Sequence, residues 1–269
     1  MAQKLFYTFH FAIVLLVSSI VISDVSGIYP GILFEYTKEN GFFELASGLL
    51  LFLSGTALLL IAKTFTQRNI KYLSLFTGLI LILGAMEELS WGQHIFGFET
   101  GELFKNNKQH ETNLHNFIPA WIFGLSINLS FYVFFVFIPI FSYLFENRIF
   151  SGKYSKLDQL RAFVPSLNLA LVFCFGFSLQ KYFIIETYTD TLALVFSLLL
   201  LAIAANKKKD FWFTVHITLI ILATILFMFS QELFRFKNLQ YEIREFVFIY
   251  GMIYWLSLCI NTIHKQQSR

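Results

Sequence analysis

Charged residues are scarce in this sequence, and their scarcity argues against an ordinary soluble domain. Only 14% of the 269 residues are Asp, Glu, Lys or Arg, whereas a soluble domain carries roughly 25%. The two cysteines, Cys174 and Cys259, form no C-x-x-C motif and lie inside apolar segments, so they are typical of small core residues rather than of a disulfide or a thiolate metal site. No nucleic-acid-binding signature appears either.

Long apolar runs are what the sequence has in abundance. Hydrophobic residues make up 57% of the chain, and 35 residues are phenylalanine. The runs approach the roughly 20 residues that a helix needs to cross a bilayer. We therefore predict an all-α, polytopic transmembrane bundle that forms a single domain over residues 1–269. About eight spans are predicted, at 5–24, 42–63, 72–95, 118–144, 164–183, 188–206, 211–231 and 246–264.

Two details of these spans lead to specific expectations. The first apolar run, residues 5–22, is longer than the roughly 7–15 residues of a signal-peptide core, so we interpret it as an uncleaved span. Pro139 falls inside the fourth span, where its missing N–H is expected to kink the helix.

The charges predict the orientation of the spans. Basic residues concentrate on the side of the membrane that contains both termini, which the positive-inside rule assigns to the cytoplasm of a cell-membrane protein. The run Lys207–Lys209 lies on that side and is typical of an anchor near anionic lipid. Most acidic residues fall on the opposite, outer side, which indicates that a functional site is to be sought at the outer face.

The two halves of the chain resemble each other. The segment N-K-Q-H-E at 107–111 lies between the third and fourth spans, and N-L-Q-Y-E at 238–242 lies between the seventh and eighth. The spacing suggests a tandem repeat of two four-span units, residues 1–146 and 147–269. An even number of spans per unit would make the repeat parallel, as in many membrane proteins.

The segment M-E-E-L-S-W-G-Q-H, residues 86–94, ends the third predicted span on the outer side. Carboxylates near hydrocarbon are costly and mark candidate functional sites. Glu87 and Glu88 point in different directions on a helix, and both are candidate acid/base groups. On a regular helix Glu87 would share a face with Ser90, Trp91 and His94.

The outer loop that follows contains Q-H-E-T-N-L-H-N, residues 109–116. Glu111 and His115 are four residues apart, so on a helical turn they share a face. A carboxylate and an imidazole in that arrangement suit a divalent metal ion or an acid/base pair, and the sequence leaves both open. Six further residues complete the predicted substrate-binding set: Glu44, Ser90, Trp91, Gln93, Asn113 and Asn116.

Simpler interpretations exist for the same residues. The glutamates could pair with arginine or lysine and lock helices together, and Trp91 fits an interfacial aromatic belt. His10 and His216 are isolated in the sequence, and we expect them to be hydrogen-bonded structural residues.

A longer pattern supports the importance of this region. The motif E-E-x-S-W-G-Q-x-I-F-G at 87–97, followed by N-x-Q-x-E-x-N-L-H-N at 107–116, resembles an uncharacterised family of bacterial multi-pass membrane proteins. The resemblance extends over about residues 35–117 and includes the acidic Glu39-Asn40-Gly41 and Glu44 element. It implies a membrane location but no reaction. The family has arginine where this chain has His94, which argues against a metal-binding role for His94.

Three classes of function remain at the level of sequence. The favoured one is a membrane-embedded hydrolase or transferase that acts on a lipid or lipid-linked substrate at the outer face. The alternatives are a structural or assembly subunit whose acidic motif locks helices, and a cation-binding transporter. Membrane lipid is the expected partner, and the sequence does not indicate an oligomeric state.

Overall fold

The computed structural model describes residues 2–38, 41–102, 104, 112, 114, 126, 128–145, 163–180, 188–230 and 240–267. These residues form helices and turns, with no strand among them. The α-helices are α1 (Ala2–Val25), α2 (Ile32–Thr37), α3 (Phe42–Ala62), α4 (Arg68–Glu88), α5 (Gln93–Phe96), α6 (Ile138–Leu144), α7 (Leu167–Ser178), α8 (Tyr188–Lys208), α9 (Phe211–Phe229) and α10 (Gln240–Gln267).

The chain is a multi-pass helical membrane protein. Within the described residues, six helical segments are long and apolar enough to cross a membrane: Leu5–Val25, Ile32–Ala62, Arg68–Glu88, Asp190–Lys208, Phe211–Phe229 and Gln240–Ile263. They coincide with six of the eight predicted spans. The fourth and fifth are represented by the shorter apolar helices Asn128–Leu144 and Leu167–Ser178, so the count of eight stays a prediction. The orientation of the spans is likewise a prediction.

The chain divides into two compact units. The first comprises Met1–Lys38 and Leu129–Gly251, and the second comprises Glu39–Asn128 and Met252–Arg269. Helix α10 contributes to both, because the division falls within it. The tandem repeat of residues 1–146 and 147–269 stays a prediction.

Helix α7 forms the core of the first unit. It has 12 residues, which is about 18 Å of helix and well short of a bilayer's hydrocarbon thickness. Every residue of α7 except Asn168 is buried. Its Phe173 ring stacks on Phe135 with the centroids 4.1 Å apart. Cys174 is buried here and unpaired, as is Cys259 in α10, which confirms that both cysteines are core residues.

The helix that contains Pro139 changes its winding instead of continuing regularly. Residues Tyr132–Phe137 form a π-helical segment, and Pro139 follows in the first turn of α6. Proline has no N–H to donate to the carbonyl four residues earlier, and a π-helical turn accommodates such a disturbance. The Tyr132 ring stacks on Phe177 of α7, which fixes the segment against the core.

Helices α3 and α4 form a tightly packed hairpin in the second unit. A Cβ atom added to Gly55 would lie only 2.7 Å from the backbone oxygen of Gly78. A Cβ atom on Gly48 would lie 2.6 Å from Cγ of Leu89. Glycine therefore permits the two backbones to approach closely, as it commonly does between membrane helices. This hairpin positions the end of α4, where the acidic motif lies.

Candidate functional site

Helix α4 ends at Glu88 in an unusual left-handed turn. Three consecutive residues have positive φ: Ser90 at 46°, Trp91 at 55° and Gly92 at 79°. Glycine adopts this conformation readily, but serine and tryptophan do so at a cost. Such conformations persist only when the surrounding structure fixes them, and they cluster at functional sites.

This turn corrects two expectations from the sequence. The third span was predicted to run to residue 95, and it ends at Glu88. Glu87 was expected to share a regular helical face with Ser90, Trp91 and His94, but these three residues lie beyond the helix end. The left-handed backbone interrupts the helical periodicity on which that expectation depended.

The Glu87 carboxylate joins the turn to the loop that follows. Its Oε1 accepts a hydrogen bond of 2.6 Å from the indole Nε1 of Trp91. Its Oε2 accepts one of 2.6 Å from the backbone N–H of Leu114. The second bond crosses 27 positions of sequence. Hydrogen bonds to an ionised carboxylate are stronger than those between neutral groups, so Glu87 is well placed to hold the loop.

Gln93 makes a second connection to the same loop. Its Oε1 accepts a hydrogen bond of 2.7 Å from the backbone N–H of Thr112. Its Nε2 donates to Oγ1 of Thr100 at 2.8 Å. We call Glu87 and Gln93, with the backbone N–H groups of Thr112 and Leu114, the loop clamp. The clamp therefore binds backbone N–H groups at two nearby positions of the loop, Thr112 and Leu114.

The other predicted site residues divide into those that the structure describes and those that it does not. Glu44 lies half-buried in the first turn of α3, and Glu88 is half-buried at the end of α4 with its Oε1 shielded from solvent. Ser90 is buried, while Trp91 is 37% exposed. The remaining four predicted residues, Glu111, Asn113, His115 and Asn116, lie outside the described residues, so their roles as catalytic groups, substrate contacts or metal ligands stay predictions.

A second polar cluster, in the first unit, surrounds the ammonium group of Lys208. Its Nζ lies 3.0 Å from Tyr7 Oη, 3.0 Å from Asn168 Oδ1 and 3.3 Å from Asp210 Oδ2. It also lies 4.3 Å from the centre of the Phe213 ring. Three N–H donors thus meet three oxygen acceptors, which fully satisfies the ammonium group. The cluster joins α1, α7, α8 and the start of α9.

Asp210 also caps helix α9. Its Oδ1 accepts a hydrogen bond from the backbone N–H of Phe213 at 3.2 Å, as an N-cap aspartate does. Partial burial raises the pKa of Asp210, but the Phe213 N–H and the Lys208 ammonium lower it by more, so the pKa lies below the ordinary value of 3.8. The carboxylate is therefore stabilised in its charged form.

Asp210 is expected to make the protein lose stability in acid. Because its pKa is lower in the folded than in the unfolded chain, its contribution is complete above pH 3.8 and is lost as the pH falls below that value. At neutral pH, Asp210→Asn should lower the thermal unfolding midpoint relative to the native chain. The difference should shrink at about pH 3. Equal differences at both pH values would contradict this linkage, and Glu99→Gln, at an exposed position, is the control.

Two histidines, His10 of α1 and His216 of α9, lie next to this cluster. His10 and His216 are far apart in the sequence, yet their rings stack with centroids 5.6 Å apart and planes at 15°. His10 Nδ1 lies 2.7 Å from Tyr250 Oη. Both rings are hydrogen-bonded, which confirms the expectation of structural histidines. Their contact with each other was not predicted, because the two residues are some 200 positions apart in the chain and no local pattern in the sequence links them. The contact between Tyr7 and Lys208, which are 201 positions apart, could not be predicted from the sequence for the same reason.

No protein-family model, curated protein or solved structure matches this chain. The structure itself defines the class, a multi-pass helical membrane protein with a clamped loop at the end of α4 and a lysine-centred cluster between α8 and α9.

Proposed function

We propose that this chain is a membrane-embedded hydrolase or transferase that acts on a lipid or lipid-linked substrate at the boundary of the bilayer. The observation that carries the proposal is the loop clamp. Glu87 and Gln93 bind the backbone N–H groups of Leu114 and Thr112 at 2.6 and 2.7 Å. The clamped stretch belongs to the polar segment 109–116, in which Glu111 and His115 are the proposed chemical groups.

A clamp of this kind supports catalysis because reacting groups must be held in a narrow range of positions. The two held amides flank Asn113, and they directly follow Glu111 and precede His115 in the sequence. The strained turn at Ser90 and Trp91 agrees with such a role, since strain is commonly maintained at functional sites.

The clamp also changes the role that we assign to Glu87. Each of its oxygens accepts a hydrogen bond, one from Trp91 and one from Leu114. We therefore propose Glu87 as a positioning residue. Glu88, which is half-buried beside it, is retained as a candidate acid/base group. Glu111 and His115 would act as an acid/base pair or as ligands of a divalent metal ion.

One observation favours a second candidate function, a structural or assembly subunit. The hydrogen bonds of Glu87 and Gln93 are the kind of network that fastens segments of a protein together, and they need no substrate to explain them. Under this alternative the clamp would serve to present the loop as a binding surface for another subunit. The two candidates differ in whether Glu111 and His115 perform chemistry.

Turnover of defined lipids tests the proposal. The purified chain in lipid nanodiscs would be incubated with a panel of phospholipids and lipid-linked sugars, and the released headgroups identified by mass spectrometry. We expect wild-type turnover, and a loss on the order of a hundredfold or more in Glu111→Gln and His115→Gln, the range for a lost acid/base group. Glu99→Gln, at an exposed position outside the clamp, should retain activity.

Elemental analysis of the same samples separates the two chemical roles. Metal that is stoichiometric in the wild type and absent from both variants would assign Glu111 and His115 as ligands, and turnover without metal would assign them as an acid/base pair. Absence of turnover across the panel would reject the enzyme and favour the structural candidate. Full activity in both variants would reject Glu111 and His115 as the chemical groups.

A further inference from the structure

A cavity of about 420 Å³ lies between helices α1 and α9 of the first unit. Among the described residues, five line it: Tyr7, Thr8, Phe11, Trp212 and His216. The volume falls within the roughly 300–1,000 Å³ typical of pockets for small ligands. Four of the five side chains are aromatic rings, so the cavity suits an apolar group.

The position of the cavity indicates where such a ligand would come from. Its residues belong to the first two turns of two segments that are long and apolar enough to cross a membrane, Leu5–Val25 and Phe211–Phe229. Thr8 is exposed, and Trp212 is 57% exposed, so the cavity opens on the surface of these helices. In a membrane that surface faces lipid near the level where headgroups meet acyl chains.

Positive charge borders the cavity. The last turn of α8 carries Lys207 and Lys208, and Lys209 follows in the connection to α9, against a single acid, Asp210. Lys208 Nζ is 3.0 Å from Oη of Tyr7, a residue of the cavity wall. The amino group of Lys208 is largely used by its three oxygen partners, whereas Lys209 is exposed and therefore available to a ligand.

His216 is a buried part of the cavity wall. Its Nδ1 lies 2.7 Å from the carbonyl oxygen of Trp212, and its Nε2 lies 3.0 Å from that of Tyr7. These contacts to the backbone of both helices hold the ring in place. The positive charge beside the cavity comes from the lysines at the end of α8, and an anionic headgroup complements it.

We propose that this cavity binds one anionic phospholipid, with part of an acyl chain against Phe11 and Trp212 and the phosphate beside Lys209. The apolar wall accounts for the chain, and the basic turn accounts for the sign of the headgroup. This site is independent of the proposed enzyme activity, because it lies in the first unit and shares no residue with the loop clamp.

Native mass spectrometry of the detergent-purified chain tests the site. The probes are phosphatidylglycerol and phosphatidylcholine with identical acyl chains, added at equal concentrations. We expect one phosphatidylglycerol to be retained at energies that remove phosphatidylcholine. Lys209→Gln should weaken retention about fivefold, the effect expected for one interfacial lysine. Lys63→Gln, which removes an exposed lysine from the second unit, should leave retention unchanged.

A bulky substitution tests the cavity itself. Thr8→Trp places a large ring in the cavity and should abolish retention. Ser19→Trp makes a comparable change at an exposed position three turns along the same helix, and it should retain the lipid. Equal retention of both lipids by the wild type, or unchanged retention in Lys209→Gln, would overturn the proposal. These two results decide it even if Thr8→Trp fails to fold.

Discussion

Gly55→Ala is expected to destabilise the α3–α4 hairpin, whereas Gly84→Ala in the same hairpin should be neutral or stabilising. The new Cβ atom at position 55 would lie 2.7 Å from the Gly78 backbone oxygen and 2.8 Å from Cγ1 of Ile82. A backbone atom cannot rotate away, so the helices must move apart. Overpacking of this kind costs about 1–3 kcal/mol.

The Gly84 substitution is a matched control because its surroundings differ in one respect. A Cβ atom there would meet only Cδ1 of Leu51, at 3.7 Å, which is ordinary van der Waals contact. Alanine also favours a helix over glycine by roughly 0.8–1 kcal/mol. The two variants should therefore shift stability in opposite directions, although both replace glycine by alanine in one pair of helices.

Thermal unfolding followed by circular dichroism in detergent measures both variants. The midpoint of Gly55→Ala should fall below that of the wild type, and the midpoint of Gly84→Ala should be equal or higher. Similar midpoints for the two variants would show that the close approach at Gly55 does not limit the hairpin.

Glu87→Ala should release the loop that the clamp holds. The substitution removes the acceptors of two hydrogen bonds, from Trp91 Nε1 and from the backbone N–H of Leu114. Hydrogen bonds to charged groups each contribute about 1.5–3 kcal/mol, and less where solvent reaches them. We expect the amides at Thr112 and Leu114 to exchange with solvent on the order of tenfold faster.

Hydrogen exchange monitored by mass spectrometry tests this expectation on a peptide that contains residues 112–114. Glu87→Gln should give a smaller effect, because its amide keeps one acceptor oxygen but places an N–H₂ group opposite a donor. Glu99→Ala removes an exposed carboxylate outside the clamp and should leave exchange unchanged. Unaltered exchange in Glu87→Ala would mean that the loop is held by contacts other than the clamp.

Much of the architecture was predictable from the sequence because apolar length is a local property. The spans predicted at 211–231 and 188–206 correspond to Phe211–Phe229 and Asp190–Lys208. The end of the third span was predicted seven residues too late, since Ser90 and Trp91 are compatible with a helix in isolation. Their left-handed conformation depends on the loop and on Gly92. Neither dependence affects the mean hydropathy of a sequence window, so the end of the helix could not be predicted from it.

The candidate site was predictable in part. Two adjacent glutamates at the end of an apolar run identified the motif, because a carboxylate in that position is costly. The sequence did not reveal that Glu87 binds the Leu114 amide or that Gln93 binds Thr112. Every residue except proline has a backbone N–H group, so the sequence does not indicate which of these groups a side chain will bind. Such partners are identified only from the three-dimensional structure.

The sequence by itself determined that this chain is a helical membrane protein and that an acidic motif ends one of its helices. Both conclusions depend on the order of neighbouring residues, because the length of an apolar run and the position of a charge at its end are local properties. Only the tertiary structure decided how polar groups are satisfied. Lys208 meets Tyr7 across 201 positions, and His10 meets His216 across a similar distance. Such pairs form because apolar surroundings force each polar side chain to find a partner, and the packing of the helices determines which partner is within reach.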